Sequence, residues 1–174
     1  AGLADALGLD LFSSDVTRKR LAGLPLGRRP SDAVRARLYA PAMTRRVYSA
    51  LLLAARAAVR GGHSLVLDAT FSRRTDRAEL RAFAKRIGAA VLFVEIAAPA
   101  ALRRRRLAER THAGSVSDAR LSDFAMLATR YEPPTELPAP LALLIRSRAT
   151  PAATLAAALL ALADKRGLSP ISEK

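Results

Sequence analysis

Two carboxylates stand just beyond apolar runs in this sequence, and each could serve proton or phosphoryl transfer. Asp15 follows the run Leu9-Asp10-Leu11-Phe12-Ser13, and Asp68 ends the run Ser64-Leu65-Val66-Leu67. An acid at a strand end can orient or deprotonate an attacking hydroxyl, or stand behind a Mg²⁺ ion. Cations accompany both. Arg18 lies three residues after Asp15; Thr70, Arg73 and Arg74 follow Asp68; Arg103 to Arg106 and Arg110 follow a third apolar run and Pro99. Clustered arginines neutralise charge on a transferring phosphoryl group. Each feature also has a plainer reading. Asp15 could cap the helix that follows it, Asp68 could be a structural turn acid, and the arginine run could be a solvated helix face.

The elements that must position these residues are legible as an alternation. Ser64–Thr70, Ala90–Ile96 and Leu141–Ile145 are continuous apolar runs, as expected of strands covered on both faces, and Leu9–Ser13 is a weaker fourth. Helical patterns lie between them: Met43–Arg60, with Val47, Leu51, Ala54 and Ala58 on one stripe; Arg74–Ile87; Ala100–Arg110; Asp118–Arg130, with Ser117 as N-cap; and Pro151–Lys165. Strands alternating with such helices predict βαβ units and a mostly parallel sheet. Ligands of such sheets bind beyond the C-terminal strand ends. Asp15, Asp68 and the arginines therefore converge on one edge.

Composition narrows the classes further. The chain has 174 residues, enough for one domain with a real core, and 51% of them are apolar. It has no Cys, which excludes disulfides and cysteine metal sites. His63 and His112 lie far apart without a metal-ligand spacing. No apolar run reaches the roughly 18 residues of a membrane span, and the start lacks the basic region of a signal peptide, so a cytoplasmic location is expected. The formal charge of +14 is almost all arginine, spread along the chain. It fits general composition, and it also allows a nucleic-acid partner.

Several of these strings together resemble a family of bacterial P-loop kinases related to polynucleotide kinase and zeta toxin, often described as AAA family ATPases. The segment Ser14-Asp15-Val16-Thr17-Arg18-Lys19-Arg20-Leu21-Ala22-Gly23 is similar to the one after that family's second strand. Leu65-Val66-Leu67-Asp68-Ala69-Thr70-Phe71, followed by Arg73 and Arg77, resembles its next strand. Leu102 to Arg110 resembles its lid helix, and Ser117-Asp118-Ala119 with Tyr131-Glu132-Pro133-Pro134 its post-lid helix and exit. The resemblance implies a three-layer α/β/α fold of the kinase type over residues 1–166, with a lid at about 103–117 and a flexible tail at 167–174.

Roles follow by position in that family. Asp15 would orient or activate the acceptor hydroxyl, and Arg18 would touch the acceptor side, with Thr70 and Arg73. Asp68 would sit near the phosphates and hold a metal indirectly, through water. Arg106 and Arg110, with Arg103 as a less defined third, would close over the triphosphate of ATP-Mg²⁺. The region from Leu24 to Pro41, with Arg28, Arg29, Arg35 and Arg37, would lie over the acceptor pocket.

The family's Gly-x-x-x-x-Gly-Lys-Ser/Thr phosphate loop does not occur in these 174 residues. Ala1 to Gly8 resembles the second half of the helix after that loop. In the kinase strand order 2-3-1-4-5, the strand before the loop is central. The expectation is therefore a kinase domain without its first strand: a fragment of a longer protein, which could be fused to an upstream domain, a degenerate domain, or a chain completed by a partner. The function expected is ATP-dependent transfer to a small-molecule or nucleotide hydroxyl, inactive in this chain by itself. The alternative is a non-catalytic module that binds nucleotide or nucleic acid, or a pseudo-kinase remnant.

Overall fold

The computed structural model describes residues 1–109 and 116–167. Its elements run α1 (Gly2–Leu7), β1 (Asp10–Ser13), α2 (Ser14–Leu21), α3 (Asp32–Leu38), α4 (Pro41–Arg60), β2 (Leu65–Asp68), α5 (Arg74–Arg86), β3 (Phe93–Ala97), α6 (Ala100–Glu109), α7 (Phe124–Arg130), β4 (Ala142–Arg146) and α8 (Pro151–Gly167). Short 3-10 turns occupy Leu121–Asp123 and Ala139–Leu141.

All pairing is parallel, as the alternation predicts. β1 lies beside β2, with Asp10 opposite Leu65 and Ser13 opposite Asp68. β3 lies beside β4, with Phe93 opposite Ala142 and Ala97 opposite Arg146. Among the described residues these are two separate two-stranded sheets. They correspond to the two flanks of the order 2-3-1-4-5 with its first strand set aside. Aromatic contact spans the flanks: the Phe71 ring, just past β2, meets the Phe93 ring of β3 edge-on, with centroids 6.4 Å apart.

Helix α4 is the crossover that joins β1 to β2, and parallel strands require such a connection. Pro41 begins it, where a missing N–H costs nothing. Val47, Leu51 and Ala55 form its buried stripe. The stripe passes through Ala55 where sequence periodicity expected Ala54 and Ala58. Gly62, at φ 78°, takes the left-handed turn that lets the chain leave the helix for β2. The rest of the core is small and aliphatic: Ala4, Leu38, Leu80, Ala84, Leu137, Ile145 and Ala158.

Three expectations need correction. The strands are not covered on both faces, because a two-stranded sheet gives its helices little width to cover: Ile96 is 48% and Leu144 60% exposed. Part of the arginine-rich stretch after Leu24 is helical; α3 forms there and buries Leu38. The helix expected from Asp118 begins later, as a 3-10 turn at Leu121 that leads into α7. No helix among the described residues is long and apolar enough to cross a membrane.

Candidate active site

Helix α2 starts directly at the end of β1, so its first turn opens at the strand edge where Asp68 ends β2. Asp15 lies in that turn. No capping bond from Ser13 closes the helix start, and Asp15 is placed where the helix N-terminus favours a negative charge. Burial pushes the Asp15 carboxyl above its ordinary value. A hydrogen bond from Ser117 and the charge of Arg18 oppose the shift, while Asp68 and Asp118 add to it. A partly desolvated carboxylate beside a second acid is the environment that turns an aspartate into a usable base.

Three side chains lie near Asp15, two from the next turn of α2 and one that follows α3. Arg18 is 6% exposed; its Nη1 donates to the Leu38 carbonyl at 2.8 Å, and its guanidinium lies 4.6 Å from the centre of the Tyr39 ring. Lys19 is 1% exposed, and its ammonium donates to the Leu26 carbonyl at 2.8 Å and the Arg28 carbonyl at 3.0 Å. Tyr39 has its hydroxyl pKa pushed up to about 12, by burial first and then by the charges of Asp15 and Asp118. Arg18 is thus engaged within the scaffold, beside Asp15.

The segment 116–123 explains why the expected helix starts late. Ser117 gives its hydroxyl to Asp15 rather than to a helix end. Asp118 is drawn to Lys19, with Oδ1 3.2 Å from Nζ. Asp123 accepts from the Arg120 backbone N–H at 2.9 Å, and so caps the later helix start itself. It also takes a two-pronged pair from Arg35, at 2.8 and 3.0 Å. Arg120 in turn reaches Asp32 at 2.5 Å. These pairs tie α3 to the segment 116–123, so Arg35, expected from sequence to lie over the acceptor pocket, is committed to Asp123.

Past β2, Asp68 and Thr70 are exposed, open to a ligand. Thr70 lies 3.5 Å from the Tyr48 hydroxyl, too far for a strong bond. Arg73 is exposed at the start of α5. Phe71 has φ 38°, a left-handed backbone rare for a bulky residue. Two contacts hold it there: its ring stacks on Tyr48 at 5.3 Å, and its carbonyl accepts from Arg77 at 2.9 Å. Arg77 is 3% exposed and also grips Glu136 through two bonds, at 2.6 and 3.0 Å, and the Glu132 carbonyl at 3.0 Å. The Arg77 guanidinium holds the Glu136 carboxyl well down, at about 2.

Helix α6, expected from sequence to belong to a lid, differs. It has no buried residue. Arg103 and Arg104 lie over the Phe124 ring, 5.3 and 4.8 Å from its centre. Arg106 donates to the Ser147 hydroxyl at 2.9 Å, just beyond β4. Arg110 lies outside the described residues. The structure therefore brings Asp15, Arg18 and Asp68 into one electrostatic neighbourhood and leaves the α6 arginines on a separate element. Lys19, Tyr39 and Asp118 belong to the neighbourhood and were not singled out from sequence. A Lys followed by a turn, inside a basic stretch, carries no local mark of burial.

The residues present fit ATP-Mg²⁺ in part. Asp68, exposed at a strand end, suits a metal contact through water. Among the described residues no group of three or more His, Asp or Glu could hold a metal directly. The glycine-rich phosphate cradle is not among these 174 residues.

The comparisons with known proteins agree with this architecture. A family model described as an AAA domain matches residues 1–134. No curated protein matches the chain. Among solved structures, a gluconokinase from Sinorhizobium meliloti 1021 superposes with a TM-score of 0.57 at 18% identity, over 93% of this chain and 81% of that one. At that identity the likeness concerns the fold. The chain belongs to the AAA domain family, and its α/β fold is that of a P-loop kinase-like domain.

Proposed function

We propose that this chain forms the acceptor-side and lid portion of an ATP-dependent phosphotransferase whose acceptor is a hydroxyl compound. The supporting observation is Asp15: a desolvated carboxylate in the first turn of α2, held by Ser117 and Arg18, beside Asp68 at the neighbouring strand end. In this reading Asp15 takes the proton of the acceptor hydroxyl as its oxygen attacks the terminal phosphorus, and the bond from that phosphorus to the bridging oxygen breaks to release ADP. ATP with Mg²⁺, when bound, supplies the phosphoryl group. Asp68 would hold the ion through water, and Arg103, Arg106 and Arg110 would lie on the donor side. Catalysis would be mainly positioning and charge stabilisation, as in phosphoryl transfer generally. The reading places the protein in the cytoplasm, where ATP is available.

Turnover is assigned to a form of the protein that carries a glycine-rich Lys-Ser/Thr loop, since none of these 174 residues supplies one. In such a form, Asp15→Ala should lower phosphoryl transfer by about 10²-fold or more, the usual worth of a general base, and leave ATP affinity unchanged. Unchanged turnover would overturn the assignment.

A further inference from the structure

The most unusual group near Asp15 is Lys19. A long cation is almost never fully buried unless paired, and Lys19 is 1% exposed. Its ammonium has three donors. Two go to the Leu26 and Arg28 carbonyls, at 2.8 and 3.0 Å. The third faces Asp118 Oδ1 at 3.2 Å. That oxygen is buried and has no hydrogen-bond partner among the described residues, so the Lys19 charge is what compensates it. Asp118 is therefore held where it is by the charge of Lys19. Its neighbour Ser117 is the residue whose hydroxyl meets Asp15.

We propose that Lys19 is a positioning residue for Asp15: its ammonium draws Asp118 against α2, and this seats Ser117 so that its hydroxyl holds the Asp15 carboxylate. The same ammonium gathers the turn at Leu26 and Arg28, so one buried charge sets both the base and the loop beside it. This inference rests on the role given to Asp15 above. The groups that act on Asp15 are Arg18 of its own helix, Asp68 at the end of β2, and Ser117 and Asp118 of the segment 116–123; Asp15 in turn acts on the Tyr39 hydroxyl, which follows α3. Without Lys19, Asp118 becomes an unpaired buried carboxylate, and burying a lone charge is costly. It must move or take up a proton, and Ser117 moves with it; the lost Asp118 charge alone would lower the Asp15 midpoint, but the lost Ser117 bond is the larger influence and raises it.

The test is the titration of the Asp15 carboxyl, followed by carbon NMR in the 174-residue chain. Lys19→Met should raise its midpoint by about half a unit or more, the loss expected for one charge-favouring hydrogen bond. Lys19→Gln, which keeps a donor for the carbonyls, should do the same and serves if the Met variant does not fold. Ser117→Ala should also raise the midpoint. In the double variant the two shifts should not add, because both act through one bond. An unchanged midpoint in a folded Lys19 variant, additive shifts, or no shift in Ser117→Ala would each overturn the proposal. These results are independent of the turnover of Asp15→Ala, so the two readings fail separately.

Discussion

The α2 platform and helix α6 are both rich in cations, yet they use them in opposite ways. On the platform Arg18 and Lys19 are buried, and each points at named carbonyls. On α6 no residue is buried, and Arg105 and Glu109 pair at the surface with both side chains more than 60% exposed. A buried cation is fixed by the cost of leaving it unpaired, whereas an exposed one is held only by what it happens to meet. The platform's side chains are thus held by the protein itself. The α6 arginines meet an aromatic ring and the Ser147 hydroxyl instead.

The widest break in that contrast comes from Arg77, a third buried cation, which staples α5 to Phe71 and to the segment around Glu132 and Glu136. Arg77→Met should destabilise the chain by about 3–5 kcal/mol, the usual cost of orphaning a buried partner, read as a lower denaturation midpoint. Asp15→Asn should instead stabilise, by about 0.5–2 kcal/mol, as relief of a functional compromise does. The sign follows from the raised Asp15 pKa. The folded state binds this proton more tightly than the unfolded state, so the penalty is absent below the unfolded value. It grows as pH rises, and is full above the folded value. The gain in Asp15→Asn should therefore appear in melts at pH 7 and vanish near pH 3. The smallest effect belongs to the lid: Arg105→Ala should change stability by no more than about 0.5 kcal/mol, and a loss of several would erase the contrast.

The parts of the fold that were legible were those governed by local pattern. The runs around Leu65–Asp68, Phe93–Ala97 and Ala142–Arg146 are strands within a few residues of where apolar continuity puts them. Asp15 and Asp68 lie at the strand ends where the apolar runs place them, the edge at which ligands of parallel sheets bind. The parts missed were governed by distant partners. Ser117 has the chemistry of an N-cap, but its hydroxyl is engaged by Asp15, about a hundred residues earlier. Capping rules see four residues at a time. Helix α3 hid in an arginine-rich stretch because two of its polar residues, Asp32 and Arg35, are matched by Arg120 and Asp123 and not by any neighbour in sequence.

The division into two parallel pairs also bears on how the chain behaves in a test tube. A strand with one partner leaves a row of amides and carbonyls open along its other side, and among the described residues this is true of all four strands. Such open rows invite pairing with other chains. A formal charge of +14 keeps copies apart while salt is low. Added salt screens that repulsion within roughly 10 Å. Storage buffer thus becomes a choice between keeping the molecules dispersed and letting their edges find one another.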